Sequence, residues 1–189
     1  MGSGINDSLA GRHALVTGGG RGIGAAIARA LLAHGAKVTI TGRSREALAA
    51  TVAQLSAFGE IDCVPMDVAD GASVAQAFAA AQARFGPVAV LVNNAGQAAS
   101  APLLKTSEEV WQQMLAVNLT GSWHCIRAAL PAMLEARWGR IVNVASTAGL
   151  TGYGYVSAYC AAKHGVIGLT RSVALEVAAK GVTVNAVCP

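Results

Sequence analysis

The chain has 189 residues, 53% hydrophobic and 13% charged, with a formal net charge of +4. This balance excludes a disordered or acidic tail protein. Its 14 Lys and Arg residues are scattered, with no basic stripe or interleaved aromatics of the kind a nucleic-acid surface needs, so a local anionic ligand explains the positive balance better.

In chain order, Met1–Asp7 has neither the basic start nor the apolar run of a secretory signal, and Asn6 stands where a myristoylation signal needs Ser or Thr. Short β-branched runs then alternate with longer alanine-rich amphipathic ones, the pattern of repeated βα units. The predicted strands are Ala14–Thr17, Lys37–Thr41, Asp62–Pro65, Val88–Asn93, Arg140–Ala145 and Val182–Val187. Between them lie helices at Gly22–His34, Arg45–Phe58, Ala72–Phe85, Ser107–Ala136 and Ser157–Ala179. Val88–Val92 is a continuous apolar run, as expected where helices cover both faces of a parallel sheet. The expected fold is therefore α/β, a Rossmann-like doubly wound parallel sheet in three α/β/α layers. Gly35, Gly59, Gly86, Gly139 and Gly181 fall where a positive φ would end each helix.

Cys63, Cys125, Cys160 and Cys188 form no C-x-x-C pair and have no histidine at ligand spacing. They read as small buried hydrophobes in a reducing compartment, so no zinc and a cytoplasmic location are expected. The longest uncharged run, Ile141–Ala162, is broken by Asn143, Ser146, Thr147, Thr151 and Ser157, which excludes a bilayer span.

After the first predicted strand comes Thr17-Gly-Gly-Gly-Arg-Gly-Ile-Gly24, running directly into a helix. Gly18, Gly22 and Gly24, with Ile23 between the last two, allow a tight turn and close backbone approach to a pyrophosphate facing the helix N-terminus. Residues 1–189 carry no linker or repeat and read as a single dinucleotide-binding domain. The second predicted strand ends in Thr41-Gly42-Arg43, where a carboxylate would select a ribose 2′-hydroxyl. With the acid absent, Arg43 and Arg21 suit a 2′-phosphate and NADP(H), with NAD(H) still open; either arginine can equally be a solvated surface charge. Asp67 and Val68 suit contact with adenine, or Asp67 a simple helix cap.

Tyr159-Cys-Ala-Ala-Lys163 places an ammonium beside a phenol on one helical face. A phenol titrates ordinarily near pH ~10, and a neighbouring cation favours its ionised form. Such a pair is by itself more often a surface contact. Ser146, at the C-terminal end of the fifth predicted strand, stands where open α/β sheets bind ligands, though a turn serine is the plain alternative.

Thr17–Gly24, Asn93-Asn-Ala-Gly96, Asn118, Ser146 and Tyr159/Lys163 stand in the order and spacing of the short-chain dehydrogenases/reductases, which the chain resembles from about Leu9 to Pro189. The resemblance implies that Tyr159 is the acid/base and that Lys163 lowers its pKa and binds the nicotinamide ribose. Ser146 would orient the carbonyl, Asn118 would hold a water in a proton relay, and Asn94, Ala95 and Gly96 would line the cofactor channel. Without the resemblance, Asn118 reads as a mid-helix residue bonded to a neighbouring strand's backbone. His124 and His164 read as packing or interface residues.

Residues 157–170 and 181–189 are similar to the branch holding 3-oxoacyl thioester reductases, polyketide ketoreductases and 3-hydroxybutyrate-type dehydrogenases. The implied activity is NAD(P)(H)-dependent, reversible hydride transfer to a ketone or from a secondary alcohol, with a 3-oxoacyl thioester favoured. An NAD-dependent 3-hydroxyacid or alcohol dehydrogenase and a non-catalytic nucleotide-binding regulator are the alternatives. Members of the family continue past the Pro with a mobile substrate loop, a helix and a last strand, so the domain is expected to be truncated at its C-terminus. A homotetramer or homodimer packed through the long fourth and fifth helices is also implied.

Overall fold

The computed structural model describes residues 8–189, and the reading of Met1–Asp7 lies outside them. Six strands, β1 (His13–Thr17), β2 (Lys37–Gly42), β3 (Ile61–Pro65), β4 (Val88–Asn93), β5 (Gly139–Val144) and β6 (Val182–Val187), form one sheet. The spatial order is β3-β2-β1-β4-β5-β6 and every pairing is parallel. The order reverses between β1 and β4, so a crevice opens at their C-terminal ends.

Strand alternation sorts the core into two layers. Leu15, Leu91 and Ile141 face α3 (Gly71–Phe85), α5 (Gly121–Glu135) and α6 (Ser157–Val177) through Phe78, Ile126, Met133 and Val173. Ala14, Val16, Val38, Ile40 and Val92 face α1 (Gly22–Ala33) and α2 (Arg45–Leu55) through Ala28, Leu32 and Leu48. The second layer stops short of β6, where Thr183, Asn185 and Val187 are exposed. The three-layer α/β/α expectation holds, and the open edge at β6 is where the truncated domain is expected to lack its closing helix.

Two local expectations need correction. The single helix expected over 107–136 is α4 (Glu108–Leu115), a π turn at Ala116–Thr120 and then α5. The Gly121 N–H reaches back five residues to the Ala116 carbonyl, while the Asn118 amide takes the Met114 carbonyl at 3.0 Å. Secondly, Gly35, Gly59, Gly86 and Gly181 do have positive φ, but Gly139 does not. Arg137, with φ 50°, makes that turn instead. Gly139 is needed for space, since a Cβ there would lie 2.6 Å from Met133 Cβ, Cγ and Sδ.

Candidate active site

The crevice holds a cleft of about 630 Å³ built on the β1–α1 loop. Gly18 has φ 65°, and a Cβ there would lie 3.0 Å from Ala95 Cα; one on Gly24 would run into the Gly18 carbonyl oxygen. These two positions need glycine so that the loop can close against the end of β4. Thr17 locks that closure, because its Oγ1 accepts from the Asn94 and Ala95 N–H groups at 3.0 and 2.9 Å. The Asn94 amide in turn donates to the Thr17 and Gly18 carbonyls at 3.0 and 3.2 Å. Helix α1 starts with no side-chain cap and no acid in its first turn, which leaves its N–H groups and positive dipole end to an anion.

Every cofactor residue expected from the sequence up to Gly96 lines this cleft: Gly18, Arg21, Gly22, Ile23, Gly24, Arg43, Asp67, Val68, Asn94, Ala95 and Gly96. Arg21 and Arg43 are exposed. Asp67 is not the cap of α3, a place that Asp70 takes by accepting from the Ala72 N–H at 2.9 Å. One Asp67 oxygen accepts from the Ala69 N–H at 2.9 Å.

A second cavity of about 270 Å³ shares Ile23, Asn94, Gly96 and Gln97 with the cleft. It is here that Asn118, Ser146, Tyr159 and Lys163 come together. Ser146 Oγ accepts from the Ala148 N–H at 3.2 Å, so the turn reading of this serine is realised. The same bond uses a lone pair and leaves the hydroxyl proton to donate elsewhere. Tyr159 is half-buried, and its hydroxyl has no hydrogen bond to another described residue. Lys163 Nζ donates to the Val144 carbonyl at 2.8 Å and lies 5.6 Å from the Tyr159 ring centroid. Burial pulls its pKa from 10.5 down to about 8, against a smaller raising effect from Cys188.

Asn118 is 1% exposed and sits on the π turn. Its amide donates to the Gln97 carbonyl at 2.9 Å, and its Oδ1 accepts from the Gln97 N–H at 3.2 Å. The neighbouring-strand alternative is thus close to the geometry, with the loop just after β4 as the partner. Ser122 Oγ also donates to the Asn118 carbonyl at 3.1 Å.

Thr17 enters the sequence reading only as the first residue of the glycine motif, without the locking role found here, and Gln97 and Ser122 do not enter it. Only Thr17 carried a local signal, as the last strand residue before the glycine loop. His164 is exposed and bonds to the Cys160 carbonyl at 2.9 Å, while His124 bonds to the Val68 carbonyl at 3.0 Å. All four cysteines are free; Cys125 and Cys160 are buried, whereas Cys63 and Cys188 are only half-buried, short of the expectation. Burial pushes the Cys125 thiol up to about 12. Among the described residues, no group of three His, Cys, Asp or Glu side chains is placed to hold a metal ion, and no helix is long and apolar enough to cross a membrane.

The model of the short chain dehydrogenase family matches residues 12–189. The D-beta-hydroxybutyrate dehydrogenase of Cupriavidus necator is 43% identical over 182 residues, covering 96% of this chain and 70% of that protein. The 3-oxoacyl-[acyl-carrier-protein] reductase of Synechocystis is 44% identical over 184 residues, covering 96% of this chain and 74% of the relative. Among solved structures, an actinorhodin polyketide ketoreductase variant with NADPH superposes with a TM-score of 0.93 at 41% identity, covering 97% of this chain and 71% of that one.

Proposed function

The chain belongs to the short-chain dehydrogenase family, and from that premise we propose that it is an NADP(H)-dependent carbonyl reductase acting reversibly on a ketone or secondary alcohol, with a 3-oxoacyl thioester as substrate class. The observation that carries this reading is the sharing of one cavity by Ser146, Tyr159 and Lys163, beside a glycine-built cleft. The cleft fits an anionic ligand: α1 presents its first N–H groups with no side-chain cap and no acid, and Gly18 and Gly24 keep the loop beside them free of side chains.

In this reading the first turn of α1 holds the pyrophosphate, Arg21 and Arg43 the 2′-phosphate, and Asp67 and Val68 the adenine. Asn94, Ala95 and Gly96 flank the ring end, and Tyr159 and Lys163 bind the nicotinamide ribose. When bound, the cofactor would supply the hydride for the carbonyl carbon. Ser146 Oγ–H donates to the carbonyl oxygen and polarises it. Tyr159 gives its hydroxyl proton to that oxygen as negative charge develops there, and in the oxidation direction takes it back. The Lys163 cation lowers the cost of the phenolate this leaves, while Asn118, clamped to Gln97, holds the water through which the proton is replaced.

Tyr159→Phe tests the chemistry: turnover should fall by about 10²–10⁴-fold with NADPH affinity retained. Undiminished turnover sinks the acid/base role, and no turnover by the unaltered protein favours a nucleotide-binding regulator. An NAD-dependent hydroxyacid or alcohol dehydrogenase is the competing reading, supported by the identity with the Cupriavidus protein. Arg43→Asp separates the two, since it should shift preference from NADPH towards NADH; an unchanged preference removes the arginine argument. The reading extends to a homotetramer or homodimer through α5 and α6, supported by Trp123 and Leu175 on these helices, 40% and 81% exposed. A cytoplasmic site of action is supported by the four free thiols.

A further inference from the structure

The segment joining β3 to α3 walls the end of the cleft beside Arg43, through Met66, Asp67 and Val68. It is tied to β2 by the Met66 N–H, which donates to the Gly42 carbonyl at 2.9 Å. The Asp67 N–H ties the segment to the first turn of α3 by donating to Ser73 Oγ at 3.0 Å. Asp67 also accepts from the Ala69 N–H at 2.9 Å and from the Asp70 N–H at 3.2 Å, and a further, long-range hold comes from α5, more than fifty residues away. His124 Nδ1 lies 3.0 Å from the Val68 carbonyl oxygen, and because a carbonyl only accepts, Nδ1 carries the proton. One turn earlier on the same face of α5, Gly121 lets the turn come close, since a Cβ there would lie 2.7 Å from Val68 Cγ2 and 3.2 Å from the Val68 oxygen. The far edge of the ring is also closed in, because a Cβ on Gly71 would lie 3.3 Å from His124 Nε2.

We propose that His124 is a positioning residue for the adenine half of the cofactor: by fixing the Val68 carbonyl it sets the backbone and carboxylate edge that Asp67 and Val68 present to the ring. This rests on the nucleotide reading of the cleft. His124 itself does not line the cleft, so its effect passes through Val68. A neutral hydrogen bond of this kind contributes enough for about a three- to tenfold change in affinity.

The test is calorimetric titration of the unaltered chain, His124→Phe and His124→Asn with NADPH, adenosine 2′,5′-bisphosphate and reduced nicotinamide mononucleotide. The Phe variant should weaken NADPH and the bisphosphate alike, by about three- to tenfold, and leave the mononucleotide unchanged. The Asn variant keeps an N–H near the Nδ1 position and should restore most of the loss. Equal weakening of all three ligands, or of none, overturns the role. If the Phe variant does not fold, Gly121→Ala pushes on Val68 from the same helix and should give the same selective pattern; a non-selective loss there also overturns it. Failure of the unaltered chain to bind NADPH, NADH and the bisphosphate alike would instead overturn the nucleotide reading and the proposal with it.

Discussion

Lys163 Nζ donates to the Val144 carbonyl at 2.8 Å, holding a cation in a site where burial has lowered its pKa to about 8. A shift from 10.5 to about 8 corresponds to roughly 3 kcal/mol of unfavourable charge burial at neutral pH. Lys163→Met removes that cost and loses one hydrogen bond of about 1 kcal/mol, so the variant should be about 2 kcal/mol more stable at pH 7 and inactive. The unfolded lysine keeps its proton up to about pH 10.5 and the folded one only to about 8, so the unfolded chain binds more protons between them. The stability of the unaltered chain therefore rises over that window and the gap to the variant closes. Denaturant titrations at pH 7 and pH 10 check both signs, and a Met variant less stable at pH 7 would contradict the argument.

Asn118 bridges the N–H and carbonyl of Gln97 from a π turn, a type of helix irregularity concentrated at functional sites. Asn118→Leu leaves both Gln97 groups and the Met114 carbonyl short of a partner, and should cost about 3 kcal/mol of stability. Turnover, measured at a temperature where the variant is still folded, should fall at least about 10²-fold. A Leu variant with full activity would show that the clamp is structural only.

The same clamp shows where sequence reading stops. The β-branched runs and the Thr17–Gly24 spacing are local signals, and they place all six strands to within a residue and the glycine cleft in full. The apolar period over 107–136 runs on without a break, because a one-residue slip in a helix changes no residue type. The π turn carries a bond from Asn118 to a loop 21 residues away, a partner that no local pattern announces. His124 was equally opaque, since its partner Val68 lies 56 residues earlier.

Arg137 and Gly139 illustrate a different failure, in which the right residue type was read for the wrong reason. Gly139 serves β5 by making room for Met133, while the left-handed turn falls on Arg137 at φ 50°. A side chain in that region costs about 1–2 kcal/mol, partly offset on changing to glycine by the greater freedom of the unfolded chain. Arg137→Gly should therefore stabilise by about 0.5–1 kcal/mol and raise Tm by roughly 1–4 °C. Gly139→Ala should do the opposite, losing about 1–3 kcal/mol through overpacking against Met133. Thermal scans of the pair check the assignment, which fails if Gly139→Ala is neutral.

His13 lies at the opposite end of the sheet from the cleft, 2% exposed, with Nδ1 donating to the Gly86 carbonyl at 2.7 Å and Nε2 accepting from the Thr39 hydroxyl at 2.9 Å. Burial lowers its pKa below 6.5, an effect only partly countered by the bond to Gly86. As pH falls below 6.5 the unfolded histidine takes up a proton that the folded one resists, so the folded state loses stability by at most about 1.4 kcal/mol per pH unit. His13→Leu orphans the Gly86 carbonyl and the Thr39 hydroxyl and should cost about 2 kcal/mol at pH 8. Because the variant has no proton to take up at this position, its deficit should narrow at pH 5. Urea titrations of both proteins at the two pH values measure this convergence, and parallel loss in the two proteins would place the acid sensitivity elsewhere in the chain.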